Sequence, residues 1–257
     1  MPALCVVTAI EIEFKTVSQA LAERTFSSPG RFACCRGRAG ANQVTVFRSE
    51  MGAEEFAPWL AGHLAEYPYD ALLVLGLAGG LRPRLKPGDT VIYDRCLKPA
   101  NFKENPFRRE EIASIACDSR LVLNLVQTFK QQEIQGIVGP GITVDEVIAD
   151  PLEKQRLGDR SDALAVDMES FALLRVARQA GIPAGAVRVI SDDATMELPD
   201  FSRAMTPAGR IRPWAMARIT GERPLVMARF LRTVRPALSA FKVAARAALA
   251  TEIAKMV

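Results

Sequence analysis

The sequence predicts a single α/β domain of three layers, in which helices cover both faces of a mixed, largely parallel twisted sheet. Short runs of apolar and β-branched residues alternate along the chain with segments of helical periodicity. One of these runs, Ala71–Gly76, is apolar throughout, which is typical of a strand covered on both faces. Carboxylates stand where several strands end, and in open α/β sheets ligands bind beyond the carboxyl ends of the strands.

The first elements follow this alternation. Leu4–Ile10 is predicted as a buried strand, and an amphipathic helix begins near Glu13. Period-two alternation around a glycine-containing turn predicts a β-hairpin over residues 31–49, and a helix is expected over residues 53–66. After the apolar strand, the glycine-rich residues 76–80 are predicted to form a loop whose backbone N–H groups approach a ligand closely.

The middle of the chain continues in the same way. We expect a strand at Thr90–Tyr93, an irregular basic loop over residues 96–109 and a helix over residues 119–132. A strand that begins at Gly136 is expected to be interrupted by Gly139–Gly141, because glycine and proline mark turns. A charged helix is predicted to follow. Strands that alternate with helices again favour a largely parallel sheet.

The stretch over residues 165–194 holds the strongest candidate site. Asp167 and Glu169 precede a helix that is expected to end at Gly181–Pro183, with glycine after its last residue and proline beyond. A β-branched strand then leads to Ser191–Asp193. Carboxylates in such places act as general acids, hold hydroxyl groups of a ligand, or simply cap helices.

Other chemistries lack the residues that they need. The single histidine, His63, lies in a predicted helix, and no Cys/His cluster, H-E-x-x-H or G-x-S-x-G motif is present. No G-x-x-x-x-G-K-[ST] loop occurs, and residues 76–80 do not match G-x-G-x-x-G. This leaves Glu13, Glu169 and Asp192 as candidates for acid–base work, since carboxyls in different environments take different roles.

Composition sets the compartment and the class. The five cysteines are odd in number and show no C-x-x-C spacing, so we expect free thiols in a reducing compartment. The N-terminus lacks the basic region of a signal peptide, and no apolar run reaches the length of a membrane span. A cytoplasmic protein is therefore expected. No module typical of nucleic-acid binding is recognisable.

The C-terminal end is basic. Residues 201–257 carry eleven Lys and Arg against two acids, so this segment has a net charge of +9 and residues 1–200 have −5. Pro224–Arg235 is predicted as a helix with one apolar and one basic face, and Pro236 is expected to begin a second helix. We therefore divide the chain into a catalytic domain, 1–200, and a helical extension, 201–257. The extension either packs on the sheet or lies on an anionic membrane, where each basic group contributes about 1 kcal/mol.

Three segments resemble the nucleoside phosphorylase/nucleosidase superfamily, above all its methylthioadenosine/S-adenosylhomocysteine nucleosidase branch. They are Val7–Glu13, Val74–Leu81 with Leu85–Val91, and Ala165–Glu169 with Val187–Asp192. The last pair is close to the family pattern V-E-M-E followed by R-x-I-S-D. Asp167, the run Ser191–Ala194 and the basic C-terminal extension are similar to the hopanoid-associated phosphorylase group, which is thought to remove adenine from adenosylhopane.

The resemblance implies roles for individual residues. Asp192 matches the general acid that protonates purine N7, and Glu13 matches the carboxylate that activates water. Glu169 is implied to bind the ribose hydroxyls, and Met168 to pack on the sugar or base. The remaining substrate contacts implied are Leu77, Ala78 and Gly79 in the glycine-rich segment, Val147 and Ile148 against the base, and Arg188 and Ser191, which position the strand end and its acid.

Departures from the family pattern bear on the substrate. Leu77 replaces the serine of G-S-A-G-G, Ile12 replaces an acid, and residues 93–107 lack the nucleosidase pattern of tyrosine, histidine and aspartate. The phosphate loop of many phosphorylases is missing as well. Arg48 and Arg82 are the candidates for binding phosphate, or else surface residues. Hydrolysis and phosphorolysis therefore both stay open.

These observations predict an enzyme that releases adenine from a nucleoside with a large apolar 5′ substituent, namely adenosylhopane, in hopanoid biosynthesis. The alternatives are a methylthioadenosine/S-adenosylhomocysteine nucleosidase and a membrane-associated nucleoside-binding protein without catalysis. We expect no cofactor or metal, although inorganic phosphate is a candidate co-substrate. We also expect a homo-oligomer in the cytoplasm, with peripheral contact to the inner face of the membrane through residues 222–250 as a further expectation.

Overall fold

Strand β5 (Ala71–Gly80) lies at the centre of a mixed sheet that has ten strands in the part of the chain the structure describes. The structure is a computed structural model, and it describes residues 1–100, 112–199, 201–204 and 212–253. The other strands are β1 (Ala3–Thr8), β2 (Ala22–Ser27), β3 (Cys34–Ala39), β4 (Asn42–Arg48), β6 (Thr90–Pro99), β7 (Ile112–Ala116), β8 (Gly136–Thr143), β9 (Ala165–Asp167) and β10 (Ala184–Asp192).

The strand order is β10-β6-β8-β9-β5-β1-β4-β3-β2, with β7 paired to β6. The pairs β1–β4, β1–β5, β5–β10, β6–β8 and β8–β9 are parallel, whereas the hairpin β3–β4 and the remaining pairs are antiparallel. Because β10 also pairs with β5, the central strands β5, β10, β6, β8 and β9 close into a ring. The predicted mixed, largely parallel α/β fold is confirmed.

Helices cover both faces of the sheet. One face carries α1 (Glu11–Gln19), α3 (Ser119–Gln131) and α7 (Pro224–Ala250), and the other carries α2 (Phe56–Glu66) and α5 (Ser170–Gln179). Residues of β5 alternate between the two cores, with Leu72 and Val74 in one and Leu73 and Leu75 in the other. The helices α4 (Pro151–Ser161) and α6 (Pro213–Glu222) lie beside the site described below.

The predictions of a loop at residues 76–80 and of an interruption at Gly139–Gly141 were wrong. Strands β5 and β8 run through both segments, and β6 continues to Pro99, where the irregular basic loop was expected to have begun. The glycines serve close packing instead of a turn. A Cβ atom on Gly141 would lie 1.9 Å from the ring of Tyr93, which lies against the strand there. Residues 101–111 of the expected loop lie outside the described residues.

The C-terminal extension is part of the domain. Helix α7 passes through Pro236 without ending, which corrects the predicted restart. Pro236 lies on the exposed side of the helix, where a missing backbone hydrogen bond costs less than in the core. Beyond that point Phe241 is buried against the sheet with the alanines of the same face. The inner face of residues 237–249 is therefore part of the core, while Lys242, Val243 and Arg246 on the outer face are exposed.

Among the described residues, no helix is both long and apolar enough to pass through a bilayer. All five cysteines are buried free thiols. The described residues also hold no cluster of three or more His, Cys, Asp and Glu side chains arranged to bind a metal ion.

Candidate active site

A cavity of about 310 Å³ opens where β1, β5 and β10 end, beside the N-termini of α1 and α5. Three acids line it: Glu13 from the first turn of α1, Glu169 from the start of α5 and Asp192 from the end of β10. Glu13 and Glu169 are 156 positions apart in the sequence. All three carboxylates are buried. The topology thus collects at one edge of the sheet the acids that the sequence places at separate strand ends, in the place where α/β folds bind ligands.

Glu169 is held by an arginine of strand β10. Its Oε2 atom accepts a hydrogen bond from Arg188 Nη2 at 3.3 Å, and its Oε1 atom accepts one from the backbone N–H of Gly52 at 3.0 Å. Arg188 is almost completely buried and also pairs with Asp167, with Nε 3.2 Å from Oδ2. Asp167 in turn caps helix α5 by accepting from the backbone N–H of Ser170 at 3.0 Å. One cation therefore orients two buried carboxylates.

The pKa values of these two carboxylates shift in opposite directions. Burial raises the pKa of Glu169 to about 7, because the one shared arginine only partly offsets desolvation and Asp167 adds repulsion. Burial also acts to raise the pKa of Asp167, but Arg188 and hydrogen bonds from Ser170 and Thr143 leave it below the ordinary value. The charges of both acids raise the pKa of Arg188, against the effect of its burial. Asp167 is therefore the permanent anion, and Glu169 titrates near neutrality.

Glu13 is anchored by backbone N–H groups on two elements. Its Oε2 accepts from Ala9 and Ile10 at 2.9 and 3.1 Å, which caps helix α1, and its Oε1 accepts from Leu77 at 2.8 Å. Burial nevertheless raises its pKa, although Arg188 and these hydrogen bonds oppose that rise. A buried carboxylate with a raised pKa in a cleft is typical of a general base.

The glycines of β5 make room for this machinery. A Cβ atom on Gly76 would lie 2.4 Å from Arg188 Nη1 and 2.9 Å from Glu13 Oε1. One on Gly79 would lie 3.2 Å from Asp192 Oδ2. The glycine-rich segment is thus a strand in which side chains would clash with the site. Without them, its backbone lies close to the acids.

Asp192 ends strand β10 just after a register shift between Ile190 and Asp192 in the pairing with β5. Such an irregularity lets successive residues face one side, and both Ser191 and Asp192 line the cavity. Ser191 Oγ donates to Asp192 Oδ1 at 2.5 Å, while Lys154 Nζ of α4 lies 2.5 Å from Asp192 Oδ2. Both oxygens of this acid therefore face a donor.

The far side of the cavity is apolar and comes largely from the C-terminal extension. Its residues are Leu198, Phe201, Met216, Phe230 and Val234, and Phe201 packs on Phe230 with ring centroids 5.1 Å apart. Phe230 and Val234 belong to the first half of α7, on the apolar face for which packing and membrane contact were both expected as alternatives. Met227 on that face is buried against α6. This face is therefore a wall of the cavity, and the extension completes the site.

The structure brings most of the expected site residues together. Besides the three acids, the cavity is lined by Met168, Leu77, Ala78, Gly79, Val147, Ile148 and Ser191. Arg188 lies behind it and, contrary to the expectation that it positions Asp192, holds Glu169 and Asp167. The two expected phosphate ligands do not line the cavity.

Both arginines are engaged by surface carboxylates. Arg48 pairs with Glu11 at the start of α1. Arg82 pairs with Asp162 at 3.3 Å and donates to the carbonyl of Ala163 at 3.2 Å. Neither is therefore placed to bind phosphate in this cavity.

Sequence reasoning missed Lys154 and the wall from the extension. Lys154 belongs to an 11-residue helix rich in charged residues, and nothing in that pattern distinguishes it from its exposed neighbours. Phe230 and Val234 did show apolar periodicity, but that pattern is the same for a helix on a membrane and for a helix over a cavity.

A family model described as the phosphorylase superfamily matches residues 3–210. The 5′-methylthioadenosine/S-adenosylhomocysteine nucleosidase of Tolumonas auensis is 28% identical over 177 residues, which cover 64% of this chain and 74% of that protein. The nucleosidase of the same description from Shewanella baltica is 27% identical over 215 residues, which cover 79% of this chain and 90% of the relative.

Solved structures share the fold. The 5′-methylthioadenosine/S-adenosylhomocysteine nucleosidase of Neisseria meningitidis, in complex with methylthio-immucillin-A, superposes with a TM-score of 0.71 at 21% identity, covering 100% of both chains. Futalosine hydrolase of Helicobacter pylori superposes with a TM-score of 0.67 at 18% identity, covering 91% of this chain and 97% of its own.

Proposed function

This chain belongs to the phosphorylase superfamily, and from that premise we propose that it cleaves the N-glycosidic bond of an adenine nucleoside bearing a large apolar 5′ group. The observation that carries the proposal is the division of the cavity. Its lining combines buried carboxylates with an apolar wall built largely by the C-terminal extension. A polar sugar and base fit the first, and an apolar substituent fits the second.

Departure of adenine needs a proton on the base and negative charge near the sugar. Asp192 protonates N7, which converts the purine into a better leaving group. Positive charge develops on the ribose as the bond breaks, and the buried Glu169 and Glu13 stabilise it, because charges act strongly in a site from which water is largely excluded. Glu169 also accepts hydrogen bonds from the ribose hydroxyls, while Met168 packs on the sugar.

We favour water over phosphate as the nucleophile. Glu13 is the base placed to activate it, since its carboxylate faces the cavity and is fixed at three points by backbone N–H groups. Among the described residues that line the cavity, Lys154 is the only cation, and it is paired with Asp192. A bound phosphate dianion therefore finds no unengaged positive charge in this part of the site.

The proposed 5′ substituent is the hopane skeleton of adenosylhopane, which places the reaction in hopanoid lipid biosynthesis. Leu77, Phe230 and Val234 line the cavity and present apolar surface to such a substituent. Burial of apolar area contributes roughly 25 cal/mol per Å², so a polycyclic substituent is recognised without directional contacts.

The experiment is to incubate the purified enzyme with adenosylhopane, with and without phosphate, and to measure adenine. We expect adenine under both conditions and none with Asp192→Asn. Adenine release only in the presence of phosphate would show that the reaction is phosphorolysis and not hydrolysis by Glu13-activated water. Absence of adenine under both conditions would overturn the lipid substrate.

The sequence relatives favour a second candidate, cleavage of methylthioadenosine or S-adenosylhomocysteine. The same acids serve it, and the apolar wall also accepts a methylthio group. A much higher kcat/KM for these two small nucleosides than for a long apolar one would select this candidate. If the wild-type protein binds adenine nucleosides but turns none over, the chain is a binding protein without catalysis.

We further propose peripheral contact with the cytoplasmic face of the membrane, in the first half of α7 and in α6. Trp214, Leu225 and Leu231 are exposed there beside Arg229 and Arg232. Flotation with anionic vesicles tests this, and Arg229→Glu with Arg232→Glu is expected to abolish it. Equal flotation of variant and wild type would contradict it.

We also propose a homo-oligomer, which light scattering of the purified protein measures directly.

A further inference from the structure

Lys154 is buried where a lysine is unfavourable. Its side chain is 1% exposed, and it is the fourth residue of α4, in the turn where the helix dipole repels a cation. Burying an ammonium group has a large desolvation cost unless every N–H finds an acceptor. A lysine in such a position requires a compensating partner, and here the partner is the acid of the site.

The ammonium group has three acceptors for its three protons. Nζ lies 2.5 Å from Asp192 Oδ2, 3.1 Å from the carbonyl of Met196 and 3.4 Å from the carbonyl of Asp193. The two carbonyls follow β10 directly, so Lys154 is fixed in place on the same segment as Asp192. It also lines the cavity.

The other oxygen of Asp192 is equally occupied. Ser191 Oγ lies 2.5 Å from Oδ1 and 3.2 Å from the carbonyl of Ala78, so its single proton is shared between two acceptors. A general acid, however, must hold a proton when the purine arrives. The nearest proton that can be transferred to Asp192 lies on Lys154, because the hydroxyl of Ser191 is far less acidic than an ammonium group.

We propose that Lys154 supplies the proton that Asp192 delivers to the leaving purine, an inference that rests on the proposed function. As the glycosidic bond breaks, its electron pair moves into the ring and N7 becomes strongly basic. The Nζ–H bond of Lys154 breaks as the Oδ2–H bond of Asp192 forms, and that bond breaks in turn as N7–H forms. Adenine leaves neutral, Lys154 is left as a neutral amine, and it regains its proton from water after product release.

Other ionisable groups are placed for different tasks. Glu13, Glu146, Asp167 and Glu169 also line the cavity. Asp193 directs its carboxylate away, toward Lys86 and Thr195. Glu13 and Glu169 are held by backbone N–H groups and Arg188, whereas Lys154 contacts Asp192 directly.

The test compares Lys154→Met and Lys154→Arg with the wild-type enzyme on an adenine nucleoside that the wild type cleaves. Arginine keeps the charge but does not release its proton near neutral pH. We expect both variants to lose about 10²-fold in kcat, within the range for general acids, with KM changed little. The residual kcat of Lys154→Met is expected to fall as pH rises between about 5 and 8, because Asp192 must then take its proton from solvent.

A matched substrate separates proton supply from a structural role. The corresponding 4-nitrophenyl riboside has a leaving group that departs without protonation, so both variants should cleave it at the wild-type rate. Equal losses on both substrates would show that Lys154 only holds the fold of the site, and full activity of Lys154→Arg on adenine nucleosides would show that charge alone suffices. Either result overturns the inference. If the wild type cleaves no adenine nucleoside at all, the proposed function fails instead.

Discussion

The pKa of Glu169 predicts a specific pH dependence of ribose binding. Only the carboxylate form accepts hydrogen bonds at both oxygens, and its pKa of about 7 means that this form is lost as pH falls through neutrality. The ionised fraction is about one tenth at pH 6 and about nine tenths at pH 8. We therefore expect nucleoside affinity to rise about tenfold over this interval, equivalent to ~1.4 kcal/mol.

The assay uses Asp192→Asn, which binds without turnover, and measures Kd by calorimetry at several pH values. A 2′,3′-dideoxy analogue is the matched ligand, because it lacks the hydroxyls that Glu169 contacts and its Kd should not change with pH. Glu169→Gln should remove the pH dependence and weaken binding by ~2 kcal/mol, the range for a hydrogen bond to a charged group. The exposed Glu153→Gln is the control.

Two results would refute this reasoning. If Kd is constant between about pH 6 and 8, Glu169 is either not titrating there or not in contact with the sugar. If the dideoxy analogue shows the same pH dependence, the titrating group acts on another part of the nucleoside.

Three further variants test other parts of the site. Asp192→Asn should lower kcat for adenine release by about 10³-fold, and unchanged kcat would remove it from the acid role. Gly76→Ala should lower the free energy of unfolding, measured by urea denaturation, by about 1–3 kcal/mol, because the new Cβ meets Arg188. The control, Gly62→Ala on the exposed face of α2, should not destabilise the protein. Equal effects of the two variants would contradict the packing argument. Phe230→Asp should lower kcat/KM for a substrate with a long apolar 5′ chain more than tenfold. The control is Leu231→Asp at the neighbouring exposed position, which should leave kcat/KM unchanged. Equal losses would show that the apolar wall does not bind the substrate.

Much of the fold could be predicted because its signals are local. Two buried strands were predicted from the apolar run at Ala71–Gly76 and the β-branched run before Ser191. Asp192, at the end of the second strand, lines the cavity. The family resemblance is confirmed by a match over residues 3–210. Strand β2 was not predicted, since its residues are exposed and lack alternation between apolar and polar positions.

The errors have one physical origin, which is that a residue type does not reveal its neighbour in space. Glycine favours a turn in isolation, yet Gly76 and Gly79 are strand residues chosen for what lies opposite them, Arg188 and Asp192. An arginine beside an acid in the motif suggested that it positions that acid, but the side chain of Arg188 points to Glu169. The pairing of Lys154 with Asp192 across 38 positions has no local signal at all.

The most direct test of the central claim is a series of 5′-alkylthioadenosines of increasing chain length, assayed for adenine release by the wild-type enzyme. A catalytic site that combines buried carboxylates with an apolar wall from the C-terminal extension predicts that kcat/KM rises with chain length. It also predicts that Asp192→Asn lowers release from every member by about 10³-fold. A kcat/KM that is highest for the methylthio compound and falls with each added methylene would contradict the account.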